Sequence, residues 1–277
     1  MPDLAIIIVS HNTRTDLDRC LQSLAAHPPA VSHEIVVVDN ASVDGSADLV
    51  HDKWPRVRLM ESERNAGFAR ANNLGIRATR SEFVLLLNSD TVVPEGAIDR
   101  LVAELRARTD TAAVGPRIVD GMQRAELSFG AMIGPWTELK QKTIARLADR
   151  DVGVVRARIE RETRMPKIVD WVSGACLLVR REDAEAVGLL DERYFIYCED
   201  VDFCAALRAR GRRVRFLPSV EIVHYRGRSV AWAPAVTEAA YRRSQVAFYA
   251  KHHPRWLPWL KGYLRLRGKL PSQAADN

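Results

Sequence analysis

At 277 residues the chain has room for one large domain or two small ones, and 47% hydrophobic with 27% charged residues is ordinary for a soluble globular protein. No run of eighteen uncharged apolar residues occurs, which argues against a membrane-spanning helix. The net charge of +6 is uneven: residues 205–277 hold 15 Lys/Arg against 3 Asp/Glu, so an acidic body carries a basic tail. Such a tail suits an anionic partner, a membrane surface or nucleic acid, or is a solvated basic face with no partner.

Strand and helix signals alternate from the N-terminus. Residues 4–9 are apolar and predict a strand, entered at once with no basic n-region of a secretory signal, so a cytoplasmic protein is expected. Asn12 or Thr13 then caps a helix to about residue 26, ended by Pro28-Pro29. Residues 34–38 predict a second strand, closing in Asp39-Asn40, and the run from Ser42 to Ser46 opens a second helix. A third strand at 57–60, a turn at Asn65-Ala66-Gly67 and a third helix at 68–78 follow. Residues 82–87 predict a fourth strand, whose continuous apolar run from Phe83 to Leu87 is that of a strand buried on both faces. A helix from Pro94 to about 108 and a short strand at 112–115 complete a β-α-β-α series, which predicts a parallel sheet with helices on both sides.

Beyond Pro116 the rhythm breaks. Residues 120–165 read as loops and short helices. An extended stretch at 168–180 contains Gly174, a short helix covers 181–187, and a helix at 199–210 is ended by Gly211. Two short strands are expected at 214–217 and 221–225, then a long helix from Pro234 to about His252 and an aromatic, basic tail over 255–270. Cys20, Cys176, Cys198 and Cys204 include no C-x2-C pair and read as buried, reduced thiols rather than zinc ligands or disulfides.

Three of the strands end in polar groups: Ser10-His11-Asn12, Asp39-Asn40 and Asn88-Ser89-Asp90. Parallel strands bring their carboxyl ends to one edge, where open α/β sheets bind ligands. Each group alone serves as well to cap the next helix; three on one edge favour a ligand site. Neither a G-x-G-x-x-G fingerprint nor a P-loop is present, so a diphosphate here needs another source of positive charge. A divalent metal anchored by Asp90 is one. A second acidic cluster, Glu199, Asp200 and Asp202, falls in the first turn of a predicted helix, where acids favour the helix dipole. Three acids behind Tyr194-Phe195-Ile196-Tyr197 read instead as carboxylate offered to a substrate, with Asp200 or Glu199 as general base. His224 closes a strand ahead of Tyr225-Arg226-Gly227-Arg228-Ser229, as a structural histidine or a ligand.

The motifs Ser10-His11-Asn12, Val38-Asp39-Asn40-Ala41-Ser42-x-Asp44-Gly45-Ser46, Asn65-x-Gly67-Phe68-Ala69-x-Ala71-Asn72-Asn73-x-Gly75 and Asn88-Ser89-Asp90 together resemble family 2 glycosyltransferases. So do Trp171-x-Ser173-Gly174-Ala175-Cys176, Phe195-x-x-x-Glu199-Asp200-x-Asp202 and His224-x-x-Gly227-x-Ser229. The order also matches, the resemblance spans about residues 4–230, and its nearest branch is rhamnosyltransferase-like. It implies an α/β GT-A fold, a Rossmann-like and mostly parallel sheet flanked by helices. The expected domain covers residues 1–230, with a nucleotide-binding half at about 1–116 and an acceptor-binding half at about 117–230. Residues 231–277 form a helical, basic-aromatic extension.

By this resemblance, Ser10, Asn12 and Asp39 lie around the base and ribose of a nucleotide-sugar donor, and Asn65, Gly67 and Asn72 line its pocket. Asn40, Asn88 and Ser89 belong with them. Asp90 holds Mg²⁺ or Mn²⁺, with His224 completing the metal or diphosphate site. Asp200 is the catalytic base, and Trp171, Gly174 and Glu199 face the acceptor. Arg226 or Arg228 adds charge for the diphosphate. The implied reaction is inverting transfer to a glycan or polyprenyl-diphosphate-linked acceptor, with L-rhamnose from dTDP-L-rhamnose as the best match. The residues offer no second carboxylate for a retaining double displacement. A UDP-sugar donor and a non-catalytic nucleotide- or glycan-binding module are the alternatives. Departures from the family pattern are His11, where tyrosine is commoner, Asn88 in place of an acid, and residues 120–165, which match no motif. In the tail, aromatic and leucine residues interleave with Arg255, Lys261, Arg265, Arg267 and Lys269. That density suits a helix in a membrane interface, the inner face of the cytoplasmic membrane for a cytoplasmic protein. Packing on the body or on a second copy of the chain is the other reading, and nucleic acid is not expected.

Overall fold

The structure, a computed structural model, describes residues 1–225 and 234–271. At its centre is a nine-stranded sheet, which is parallel on one side and mixed on the other. The parallel side takes β3 (Arg58–Glu61), β2 (His33–Asp39), β1 (Leu4–Ser10) and β4 (Phe83–Asn88), in that spatial order. Then β10 (Cys176–Arg180) runs antiparallel between β4 and β6 (Thr111–Val119). Strand β11 (Arg213–His224) is parallel to β6 and carries the short antiparallel β5 (Thr91–Val92) and β8 (Lys167–Val169). A separate two-stranded ribbon pairs β7 (Phe129–Gly130) with β9 (Trp171–Val172).

Alternate residues of the central strands enter two cores. Leu4, Ile6, Ile8, Leu85 and Leu87 pack with Leu17 and Leu21 of α1 (Arg14–Ala26) and Leu101 and Leu105 of α4 (Ala97–Ala107). On the other face, Ala5, Ile7, Val84 and Leu86 meet Ala69 and Ile76 of α3 (Phe68–Arg77) and Phe203 and Leu207 of α8 (Glu199–Ala209). Burial on both faces is why these strands read as unbroken apolar runs. Helix α3 lies close on β1 because Gly75 has no side chain: a Cβ there would come within 2.6 Å of Ile7 Cγ2. The remaining early helix, α2 (Ser46–Lys53), starts where Asp44 Oδ1 accepts hydrogen bonds from the Ser46 N–H and hydroxyl.

The second half differs from expectation in three places. Residues 120–165 hold two full helices, α5 (Pro135–Asp149) and α6 (Gly153–Glu162), paired through a small core of Ala125, Ala148 and Ile159. Charges spread around both helices blur the 3.6-residue period that would have revealed them. The stretch expected to be continuous at 168–180 is split among β8, β9 and β10, which pair with different partners. Conversely, the two strands expected at 214–217 and 221–225 are one strand, β11, whose register slips between Leu217 and Glu221. Pro218 sits in that slip, and its missing N–H cannot serve the ladder. After α8 is preceded by the short α7 (Arg181–Ala186), the chain ends in α9 (Pro234–His252), a 3₁₀ turn at Pro254–Trp256 and α10 (Leu257–Leu266).

Two acids, the half-buried Glu138 and the buried Asp202, clasp α9 to the body. Glu138 of α5 accepts hydrogen bonds from Tyr241 (3.3 Å), Gln245 (2.5 Å) and Tyr249 (2.6 Å). Asp202 of α8 accepts from Lys251 Nζ at 2.8 Å and the Tyr194 hydroxyl at 3.2 Å, with His252 Nε2 at 2.5 Å. Asp202 is thus committed to holding the C-terminal helix rather than facing a substrate. No helix among the described residues is long and apolar enough to cross a membrane.

Candidate active site

Register places the polar strand ends side by side: Ser10 is the partner of Asp39 across β1–β2, and Val9 of Asn88 across β1–β4. The loops after the strands are tied to one another. Asn12, at φ 54°, accepts from the Val43 N–H at 2.8 Å, and His11 Nδ1 lies 2.9 Å from the Asn40 carbonyl. Asn40 donates to Asn65 Oδ1 at 2.9 Å and accepts from the Ala66 N–H at 2.9 Å. Ser10, fully buried, bonds Thr13, which bonds Ser89 in turn (3.0 and 2.9 Å). Thr13 is thereby spent on the three-strand junction and makes no side-chain cap for α1.

Two oxygens beside this junction are buried without a hydrogen-bond partner, Asp39 Oδ1 and Asn72 Oδ1. The other Asp39 oxygen accepts from the Ser42 N–H at 2.9 Å, and Asn72 Nδ2 donates to the Phe68 carbonyl at 2.9 Å. A buried acceptor left unmatched costs about 1–3 kcal/mol, so such atoms mark where a ligand donor fits. Gly67 sits at φ +84°, and a Cβ there would fall 2.5 Å from the Phe195 carbonyl oxygen, which accepts the Phe68 N–H at 2.8 Å. This close approach joins the first half of the chain to the segment before α8.

At the end of β4, His224 Nε2 lies 3.1 Å from Asp90 Oδ1 and 3.3 Å from Asn88 Nδ2. The Asn88 amide oxygen is buried with no partner. A carboxylate, an imidazole and a free amide carbonyl together fit a divalent cation such as Mg²⁺ or Mn²⁺ that takes its other oxygens from a ligand. No group of three or more His, Cys, Asp or Glu among the described residues could hold an ion unaided. Gly227, Ser229, Arg226 and Arg228 lie outside the described residues.

The other side is set by the backbone before α8. Tyr197 and Cys198 both take positive φ (67° and 73°), an arrangement costing about 1–3 kcal/mol per residue that recurs at functional sites. It starts α8 so that Asp200 Oδ2 accepts the Gly174 N–H at 2.9 Å while Oδ1 accepts the Val201 N–H at 2.8 Å. Burial raises the Asp200 pKa above its ordinary value, and the two backbone N–H groups oppose part of that shift. Glu199 is buried, its Oε2 has no partner, and burial followed by the neighbouring Asp200 charge pushes its pKa well up. Trp171 is held by its indole N–H to the Ala131 carbonyl at 2.9 Å. Sequence reasoning named Thr13 only as a candidate helix cap and did not find its bridge between Ser10 and Ser89, the Phe195–Gly67 contact or the two strained residues; of the Phe195–Gly67 pair, only Gly67 carried a signal, as a glycine ahead of a helix.

Comparison with known proteins bears on the family and the fold. The chain matches the model of glycosyl transferase family 2 over residues 5–159 and that of glycosyl transferase family group 2 over residues 83–267. It is 32% identical to the N-acetylglucosaminyl-diphospho-decaprenol L-rhamnosyltransferase of Mycobacterium tuberculosis, over 96% of this chain and 92% of that protein. It is 36% identical to the rhamnosyltransferase WbbL of Escherichia coli, over 79% of this chain and 82% of the relative. In fold it resembles a mannosyltransferase from Pyrobaculum calidifontis solved with GDP-Man and Mn²⁺: TM-score 0.61 and 20% identity, over 96% of this chain and 70% of that one.

Proposed function

The chain belongs to glycosyl transferase family 2, and from that premise we propose that it moves L-rhamnose from dTDP-L-rhamnose to a polyprenyl-diphosphate-linked sugar, with inversion. The observation that carries the mechanism is the Asp200 carboxylate, held by the Gly174 and Val201 N–H groups on the acceptor side. Asp200 takes the proton of the acceptor hydroxyl. The hydroxyl oxygen forms its bond to the anomeric carbon as the bond to the diphosphate breaks, and the nucleoside diphosphate leaves with the electron pair. The raised pKa keeps Asp200 a stronger base than an exposed aspartate. Fixed N–H groups orient it at little cost in reorganisation.

In this reading residues 1–116 hold the donor and 117–230 the acceptor. The orphan oxygens of Asp39 and Asn72 receive donor hydroxyls or amides, with Ser10, Asn12, Asn40, Asn65 and Gly67 shaping that pocket and Ser89 fixing its floor. Asp90, His224 and the Asn88 carbonyl hold Mg²⁺ or Mn²⁺. The ion, when bound, supplies positive charge to the departing diphosphate. Trp171, Gly174 and Glu199 border the acceptor; burial and then the Asp200 charge push the Glu199 pKa well up.

The extension 231–277 rests the enzyme on the membrane that carries such an acceptor. Leu264 of α10 is buried, whereas Trp256, Trp259, Tyr263 and Leu266 are exposed at the three- and four-residue spacing of one helix face. Arg255, Lys261, Arg265, Arg267 and Lys269 are exposed along the same segment, as in an interfacial helix. Release of nucleoside diphosphate from a panel of dTDP-, UDP- and GDP-sugars, with and without Mn²⁺ and a prenyl-diphosphate-linked N-acetylglucosamine, tests the reading. dTDP-L-rhamnose with that acceptor is expected to give the largest release. No release from any pair would favour a binding module.

A further inference from the structure

A cavity of about 820 Å³ lies between the ribbon β7–β9, the loop 120–127 and helices α5 and α6, and it opens beside the candidate active site. His224 and Trp171 stand on its wall, so it runs directly on from the metal-binding corner and the residue that borders the acceptor. Its volume is that of a small-molecule site, and it is larger than a single sugar needs. Part of the wall is apolar: Ala125, Leu127, Ile144, Ala148 and Ile159. The first, fourth and fifth of these are buried and form the small core between the two helices.

Two guanidinium groups share this cavity, Arg124 and Arg156. Arg124 is bound by Asp120, whose carboxylate also receives the Met122 and Arg124 backbone N–H groups. Arg156 is less well matched. Its Nε is buried without a hydrogen bond, 3.4 Å from a carboxylate oxygen of Asp151, which is itself exposed. Arg156 is thus ion-paired only to a solvent-facing carboxylate, one that Arg124 also approaches at 3.9 Å, and its buried Nε still lacks a hydrogen bond that an anionic oxygen could supply. An apolar wall, an arginine whose buried Nε lacks a hydrogen bond and an opening beside His224 and Trp171 together suit one amphiphile: an anionic head joined to a hydrocarbon chain.

We propose that this cavity binds the lipid end of the acceptor, with the diphosphate on Arg156 and Arg124 and the first isoprenoid units along Ile144, Ala148 and Ile159. The proposal rests on the reading of a polyprenyl-diphosphate-linked acceptor and assigns the part of the molecule that recognises it. It gives helices α5 and α6 a purpose: they enclose a chain that the sheet alone could not keep from water.

The test uses farnesyl diphosphate, which carries no sugar, and calorimetric titration of the full chain in EDTA, which removes any contribution of a metal-bound diphosphate. Farnesyl diphosphate is expected to bind, farnesol to bind at least about tenfold more weakly, and Arg156→Gln to weaken farnesyl diphosphate by about tenfold or more. Ala148→Phe, which fills the chamber, is expected to remove binding; circular dichroism of both variants checks that they are folded. No binding in EDTA, or binding that folded Arg156→Gln retains in full, would overturn the pocket. Binding lost in both variants, in a preparation that transfers no sugar from any donor, would support the pocket and count against the transferase reading instead.

Discussion

The two sides of the site are built in opposite ways. The proposed donor side is a row of strand ends, each followed within a few residues by its own loop, and its order is that of the sheet: Asp39 beside Ser10, and Asn88 beside Val9. The proposed acceptor side has no such row. Asp200 is positioned by Gly174, which is 26 residues away, and α9 is clasped by Glu138 and Asp202, 103 and 49 residues from their partners Tyr241 and Lys251. A side made of local motifs can be recognised in a sequence, whereas a side made of long-range clasps is visible only when folded. Substitutions should therefore separate into chemical and structural effects according to which side, and which kind of contact, they touch.

The largest effect is expected at Asp200, where the two sides meet. Asp200→Asn keeps the shape and removes the base, so kcat should fall by about 10³, while donor affinity measured by titration stays within about threefold. Full activity in that variant would remove Asp200 from the mechanism. Next is Asp202, two residues on and opposite in character: Asp202→Ala leaves Lys251 and His252 without their shared anion. Urea unfolding should show a loss of about 3 kcal/mol, the scale for breaking a buried ion pair. A stability change near zero there would mean the C-terminal helix is not held by this clasp.

On the donor side, Asp90→Ala should weaken Mn²⁺-supported donor binding by about tenfold, one charge-assisted contact's worth, with little change in unfolding. An unchanged Mn²⁺ response would reject the ion site. Glu199 sharpens the contrast through pH. Its folded pKa is raised, so as pH climbs past the ordinary carboxylate range the unfolded chain releases this proton while the folded chain keeps it. Stability then declines with rising pH across the window between the two values. Glu199→Gln should abolish that decline, making the variant's advantage larger at pH 7 than at pH 4 in paired melting curves. A constant difference across pH would show that Glu199 ionises normally. The smallest effect belongs to the tail: Trp259→Ser with Tyr263→Ser should reduce co-sedimentation with anionic vesicles severalfold and leave turnover on a soluble acceptor unchanged. Equal sedimentation of both forms would place the aromatic face elsewhere.

How far the sequence could be read follows the same division. The strand runs at 4–9 and 82–87, the turn at Asn65-Ala66-Gly67 and the acids opening α8 each carry their signal within a few residues. The structure places them within a residue or two of expectation. Residues 120–165 were read as loops and short helices, without the two full helices α5 and α6, because neither has a clean apolar face; their burial is a matter of packing against each other and the loop before them. Strand β11 was divided in two at Pro218, since a register slip and a strand end look alike in one dimension. In the first turn of α8, the residues alone left Asp200 and Glu199 both open as the base, and did not show that Asp200 is held by N–H groups and Asp202 by cations. The partners that distinguish them come from β9–β10 and α9.

The central claim is a single displacement driven by one carboxylate. Nuclear magnetic resonance of the first product formed from dTDP-L-rhamnose, before any exchange, reads it directly. The account predicts an anomeric configuration opposite to that of the donor; a product with the donor's configuration would require a second nucleophile and contradict it.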